Sequence, residues 1–240
     1  MTAAHPMAVL PLRKTNLDWT CLVIGSMAPD FEYFFRVKLA SNISHTLAGL
    51  VVFCLPVTLA SAWLFHRLMK DALIRVMPAS LGGRLAAFDK RPWVPAWSPA
   101  AIMLLTVSAL IGAGTHLVWD GFTHGDAWGP RHIAGLRTLI HVPIVGTMLL
   151  HRVLQHTSTA IGLVVLAIVA VRALRRVTPQ AVLPPSTVRE RLLWVPCLAI
   201  AGALCFYRIV HAHELDPGSV IVAIIDTGLG GWLLASLITR

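Results

Sequence analysis

Charge is scarce in this sequence. Of its 240 residues only 13% are charged, with 11 Asp and Glu against 20 Lys and Arg, while 56% are hydrophobic. Mean hydropathy is +0.72. A soluble globular domain carries about 25% charged residues, so this chain lacks the charge to cover a water-facing surface of its size. Cysteine is scarce as well. Cys21, Cys54, Cys197 and Cys205 form no CxxC pair and sit in apolar context, which marks them as buried small hydrophobes and not as disulfides or thiolate ligands. Internal repeats and low-complexity segments are absent. So is the pattern of a cleavable signal peptide, because the first residues hold His5, Pro6 and Pro11 instead of a charged start and an apolar core. The formal charge of +9 comes without alternating basic and aromatic residues, so nucleic acid is not an expected partner.

What the sequence does have is long apolar runs. A bilayer core needs ~20 mostly apolar residues per helix. Residues 45–65, 99–119, 192–210 and 220–238 meet that need, and a shorter run follows Thr157 and ends near Val171. This third run needs polar Thr157, Ser158 and Thr159 inside its helix. Residues 19–27 are too short to span and read as an interfacial or re-entrant piece, with Asp18 as N-cap. The expected fold is all-α: a polytopic helical membrane protein with about five transmembrane helices.

The basic residues orient it. Arg67, Lys70, Arg75, Arg84, Lys90, Arg91, Arg172, Arg175, Arg176, Arg189, Arg191 and Arg240 fall on one side; the remaining eight Lys and Arg fall on the other. The richer side is expected to be cytoplasmic, which places the N-terminus outside the inner (plasma) membrane. On that map His5, Asp30, Glu32, His45, His116, Asp120, His124, His151, His156, His211, His213, Glu214 and Asp216 all collect at the outer face. Ionisable groups at a membrane boundary are costly unless paired or functional.

The sharpest local pattern is His116-Leu-Val-Trp-Asp120-Gly-Phe-Thr-His124. Residues four apart share a helix face, so His116 and Asp120 can converge on one cation, and Asp120 and His124 on another one turn on. A carboxylate in the middle position suits a bridge between two metals. The remaining ligands must come from elsewhere on the same face: Asp30 after Ala28-Pro29, His45, His5 and His156. Ser44 is the expected cap that fixes His45 in the first turn of the first span. Imidazole with carboxylate suits zinc, with manganese as a second choice. Bland roles compete at each position: a His-x3-Asp hydrogen bond, Asp30 as a cap for residues 31–36, solvated loops around His132 and His141 and around residues 211–216, and an interfacial belt for Trp93, Trp97, Trp119 and Trp128.

Four strings carry a resemblance: Leu22-Val-Ile-Gly-Ser-Met-Ala-Pro-Asp30-Phe-Glu-Tyr-Phe34, Ser44-His45-Thr46-Leu47-Ala48-Gly49-Leu50, the His116-to-His124 string, and Leu154-Gln155-His156-Thr157-Ser158. Together they resemble a family of bacterial integral membrane proteins classed as a domain of unknown function. That family is similar to membrane-bound metal-dependent hydrolases, and more remotely to the zinc-dependent phospholipase C and single-strand nuclease superfamily. The resemblance covers roughly residues 1–175 and implies a metal-hydrolase-like membrane domain there, with residues 176–240 a C-terminal pair of spans. It implies metal ligands at His5, Asp30, His45, His116, Asp120 and His124, in the superfamily's order, with His156 as a later ligand and Asp30 and Asp120 essential to catalysis. The sequence departs from the superfamily where a later His-x3-Glu is expected: His151 is followed four residues on by Gln155, and His156 by Ala160. The expected function is hydrolysis of a phosphoester, with a phospholipid headgroup as substrate. The alternative is a non-catalytic metal-binding membrane protein: a carrier, sensor or assembly factor. A transporter would set its ionisable groups near the bilayer midplane, not at one end.

Overall fold

A computed structural model describes residues 2–36, 40–88, 93, 98–179, 187–210 and 217–238. Trp97 and the His211, His213, Glu214, Asp216 group lie outside the described residues. A 3-10 helix, Thr2–Lys14, opens the chain and is followed by α1 (Trp19–Gly25), a 3-10 turn at Ala28–Asp30 and α2 (Phe31–Arg36). One continuous helical span, Leu47–Val76, is built from α3 (Leu47–Gly49), α4 (Leu55–Leu64) and α5 (Lys70–Val76), joined by π-turns at Leu50–Cys54 and Phe65–Met69. Then come α6 (Ala79–Phe88), α7 (Pro99–Thr123), α8 (Trp128–His132), strands β1 (Leu139–Val142) and β2 (Gly146–Leu149), α9 (Leu150–Arg176), α10 (Val188–Val210) and α11 (Pro217–Ile238). The all-α expectation holds, with one antiparallel hairpin among the described residues, β1 on β2, inside the connection that carries the exposed His132 and His141.

Among the described residues, three helical stretches are long and apolar enough to cross a membrane: Leu47–Val76, Pro99–His132 and Leu150–Arg176. Shorter apolar helices occupy Leu192–Tyr207 and Val222–Ile238. Outward-facing Val51, Val52, Met103, Val118, Ile161 and Val164 on these spans are exposed, as suits a lipid-facing surface. The third span begins earlier than the sequence suggested, at Leu150 and not after Thr157. Its polar run is absorbed by back-bonding: Thr157 Oγ1 donates to the Val153 carbonyl at 2.7 Å and Thr159 Oγ1 to the Gln155 carbonyl at 2.7 Å. A hydroxyl bonded in this way leaves the helix ladder intact.

The chain packs as two compact units. One comprises Met1–Asp30, Asn42–Leu59 and Ala96–Val171; the other comprises Phe31–Ser41, Ala60–Pro95 and Arg172–Arg240. In the second unit Gly231 of α11 lies against Cys197 and Ala201 of α10, where an added Cβ would come within 2.8 Å of the Ala201 side chain. Arg75 pairs with Glu190. Arg84 donates to the carbonyls of Leu174 and Val177 at 2.8 and 2.7 Å, satisfying acceptors that the end of α9 leaves open.

The first unit is organised by α1 lying along α7. Asp18 caps α1, its side chain accepting from Cys21 N–H at 2.8 Å, as its position ahead of the apolar run predicted. Its own N–H donates to Ser108 Oγ of α7 at 2.9 Å. One turn on, Gly112 faces the Leu22 carbonyl, and a Cβ there would also stand 2.9 Å from Ser26 N. Gly25 meets Ala109 in the same way, with 2.5 Å from its would-be Cβ to the Ala109 carbonyl. Small residues let two backbones approach this closely. Ala28, Cys54 and Ala113 form a buried core beside this seam, with Leu50 and Phe53 packed on it.

The seam generates a prediction. Gly112→Ala forces α1 off α7 and should destabilise the protein by about 1–3 kcal/mol, the usual cost of overpacking. Gly114→Ala, on the same helix with open space around it, should leave the unfolding midpoint in detergent unchanged. Equal midpoints for the two variants would refute the close-approach account.

Candidate metal centre

The seam that holds α1 on α7 also builds the centre. Ser108, Gly112, His116 and Asp120 recur every four residues along α7 and are all buried, so they form one face. Ser108 holds Asp18 and Gly112 accommodates Leu22. His116 then meets the end of α1: its Nδ1 lies 2.8 Å from the Ser26 carbonyl. A carbonyl only accepts, so Nδ1 carries the hydrogen. A neutral His116 therefore presents the lone pair of Nε2 at its other end. That atom is buried and lies 3.1 Å from Asp120 Oδ2 and 3.5 Å from Asp30 Oδ1, yet it is in hydrogen-bonding alignment with neither.

Asp30 arrives from the 3-10 turn that follows α1. Its carboxylate does not cap α2. Oδ2 accepts from Thr2 Oγ1 at 2.6 Å, while Oδ1 faces His45 Nε2 and His116 Nε2, each at 3.5 Å. Burial pushes the Asp30 carboxyl upward, but with protons on the facing nitrogens of His116 and His45, and with the Thr2 hydroxyl, the carboxyl is held well below the usual carboxylate range. Asp30 is therefore an anion.

His45 comes from the entry to the first span. Thr46, not Ser44, is the cap: its Oγ1 accepts from Gly49 N–H at 2.9 Å. Ser44 is buried instead, with Oγ 3.0 Å from His45 Nδ1, and so orients the ring. A Cβ on Gly49 would collide with the Ile43 carbonyl, so this glycine lets residues 43–46 fold back onto the helix. His45 Nε2 is thereby placed 3.6 Å from Asp120 Oδ2.

One donor atom from each of Asp30, His45, His116 and Asp120 lies within 4.8 Å of every other. Two imidazoles and two carboxylates at this spacing match the oxygen–nitrogen donor set of a four-coordinate divalent metal. This buried cluster can hold a metal ion.

The other three expected ligands behave differently. His5 lies beside the cluster, its ring stacked on His116 at 3.7 Å between centroids and its Nε2 3.6 Å from Asp120 Oδ1. It is held there because Ala4 seats against Gly162 of α9, where a Cβ would come within 3.1 Å of the Ala4 side chain. Burial pushes the His5 imidazole down to about 3, so it is neutral. His124 ends α7 with Nδ1 3.5 Å from Asp120 Oδ1, but its Nε2 faces the Gln155 amide nitrogen at 3.0 Å. An amide nitrogen donates, which leaves the His124 hydrogen on Nδ1, toward Asp120. His124 therefore stands as an orienting partner of the carboxylate and outside the four-residue cluster. His156 is exposed on α9 and is not brought to the cluster. Its neighbour His151 turns inward, with Nδ1 3.2 Å from the Thr123 carbonyl.

Thr2, Ser26 and Gln155 escaped the sequence reading as supporting residues. Gln155 alone carried a signal, standing where a glutamate was expected. Thr2 and the Ser26 carbonyl carried none, because a backbone acceptor leaves no trace in residue identity.

The supporting shell is testable. Thr2→Val removes the hydroxyl that orients Asp30 and should weaken any divalent-metal binding at the cluster, probed with zinc, by about 10–100-fold, the usual cost of losing an outer partner. His156→Ala should leave the affinity for the same probe as it is in the native chain. Competition with a chelator of known affinity reads both, and a loss in His156→Ala equal to that in Thr2→Val would contradict this ligand assignment.

Comparison with curated proteins and with solved structures yields no match. A family model, described as Domain of unknown function (DUF4184), matches residues 1–239. With almost the entire length matched, this helical membrane protein belongs to that family.

Proposed function

We propose that the protein is a membrane-embedded, metal-dependent hydrolase of a phosphoester, with a lipid headgroup as the natural substrate. The observation that carries this reading is the arrangement at His116. Its Nδ1 is committed to the Ser26 carbonyl, and its Nε2 points among two carboxylate oxygens without hydrogen bonding to either. A lone pair there would face two anions in a buried site, which is repulsive unless a cation, either a proton on Nε2 or a metal ion, lies between them. The residues at hand fit zinc, which takes His nitrogen and carboxylate oxygen in tetrahedral geometry.

Asp30, His45, His116 and Asp120 would hold the ion, with Thr2, Ser44 and Ser26 fixing three of the four. A divalent ion bound there supplies positive charge to the anionic transition state of phosphoester hydrolysis and acidifies water. Asp120 does two things. Oδ2 faces the cluster, while Oδ1 faces His5 and His124, which places a carboxylate oxygen and a neutral imidazole at the open edge of the site. The Asp120 oxygen is positioned to accept a hydrogen bond from water there, with His5 lining that edge. The basic residues support an inner-membrane protein with this site on the extracytoplasmic side, within reach of lipid headgroups.

Metal content by mass spectrometry on detergent-purified protein tests the reading. At least one zinc per chain is expected in the native protein, lost in Asp30→Ala and Asp120→Ala, with hydrolysis of a phosphodiester falling by about a hundredfold or more in both. Stoichiometric metal without turnover of any phosphoester would favour a carrier or sensor. Folded native protein without metal would refute a metal hydrolase altogether.

A further inference from the structure

A cavity of about 150 Å³ opens beside His5 and Asp120, between the N-terminal 3-10 helix, α7 and α9. It adjoins the outward-facing edge of Asp120, and no Lys or Arg lines it. Its walls are apolar at Ala4, Met7 and Ala8, and uncharged but polar at His5 and Gln155 on one part and at Thr123, Ser158 and Thr159 on another. This polar side includes two members of the Thr157-Ser158-Thr159 run that looked out of place in a membrane span.

The hydrogens of these hydroxyls are already spent. Thr159 Oγ1 donates to the Gln155 carbonyl at 2.7 Å and Ser158 Oγ to the same carbonyl at 3.1 Å. Thr123 Oγ1 donates to the Trp119 carbonyl at 3.2 Å. The indole N–H of Trp119, also on the cavity wall, donates to Ser158 Oγ at 3.3 Å. A hydroxyl that has donated its hydrogen retains only acceptor capacity. The hydroxyl side of the wall thus offers lone pairs, and beside it stands the Asp120 carboxylate. Such a wall repels phosphoryl oxygens and accepts from O–H or N–H groups.

We infer that this cavity takes the alcohol portion of the phosphoester, and that this alcohol bears hydrogen-bond donors: hydroxyls, as in glycerol, or a primary ammonium, as in ethanolamine. The inference rests on the phosphoester reading above. A quaternary ammonium headgroup has no donor to give. It would leave the Ser158 and Thr159 acceptors unmatched, and the Trp119 ring alone does not enclose a cation as an aromatic cage does. Rejection of a ligand that lacks the expected hydrogen-bonding group is the stronger form of selectivity.

Calorimetric titration of the zinc-loaded full chain in detergent tests this with four probes: glycerol phosphate, phosphoethanolamine, phosphocholine and inorganic phosphate. One or both of the first two should bind about tenfold or more tightly than phosphocholine, the scale of one or two matched hydrogen bonds. The order of those two distinguishes hydroxyl from ammonium. The double variant Ser158→Ala, Thr159→Val should erase the margin while keeping the native affinity for inorganic phosphate, which also certifies its fold. Phosphocholine binding as tightly as the others, or a margin that survives in the variant, would overturn the inference and leave the hydrolase reading standing. Failure of all four probes, inorganic phosphate included, would overturn both.

Discussion

The approach of α1 to α7 is the constraint on which the centre depends. Asp18, Leu22 and Ser26 on one strand of chain meet Ser108, Gly112 and His116 on the other, each pair one helical turn beyond the last. The same spacing on both sides means that the two segments run parallel and in register. Because the last pair of this seam is a carbonyl and an imidazole, register and tautomer are set together. A side chain at Gly112 would disturb the packing and, one turn later, the nitrogen that faces the carboxylates.

Two carboxylates with two imidazoles inside a membrane protein present an electrostatic problem before they present a function. Asp30 and Asp120 are both buried, and burying anions is costly unless cations or hydrogen bonds offset the loss of water. Thr2 satisfies one oxygen of Asp30. The oxygens that remain point inward, toward imidazole nitrogens whose opposite ends are occupied by Ser26 and Ser44. The carboxylate oxygens and ring nitrogens of the cluster therefore converge on one small volume. A divalent ion would resolve that arrangement with its own charge, and the outer partners explain how four side chains from three separated segments keep a common focus.

Much of this was legible in the residues. The apolar runs announced the spans, because nothing but lipid rewards so many exposed Leu, Val and Ile side chains. Asp18 read as a cap because its side chain acts locally. His116 and Asp120 read as a pair because four residues make nearly one helical turn. His45 and Asp30 were identified as partners, but the cap beside His45 fell to Thr46, since Ser44 is drawn into the interior to hold the ring. The start of α9 lay earlier than hydropathy indicated, because back-bonded hydroxyls cost a helix little. His124 and His156 were expected to ligate on grounds of type and order, and neither criterion reports the direction in which a side chain points.

Local chemistry and periodicity, then, are properties of the sequence alone: membrane class, the existence of the apolar helices, the His-x3-Asp face and the family were all settled by residue type and spacing. Which histidines converge on the two carboxylates, which hydroxyls spend their hydrogens and where a cavity opens were decided by the tertiary structure. Those features arise between segments far apart in the chain, through backbone carbonyls common to every residue and glycines whose significance lies in what approaches them. No pattern along one dimension encodes a distance between Ser26 and His116; only the packing of α1 on α7 does.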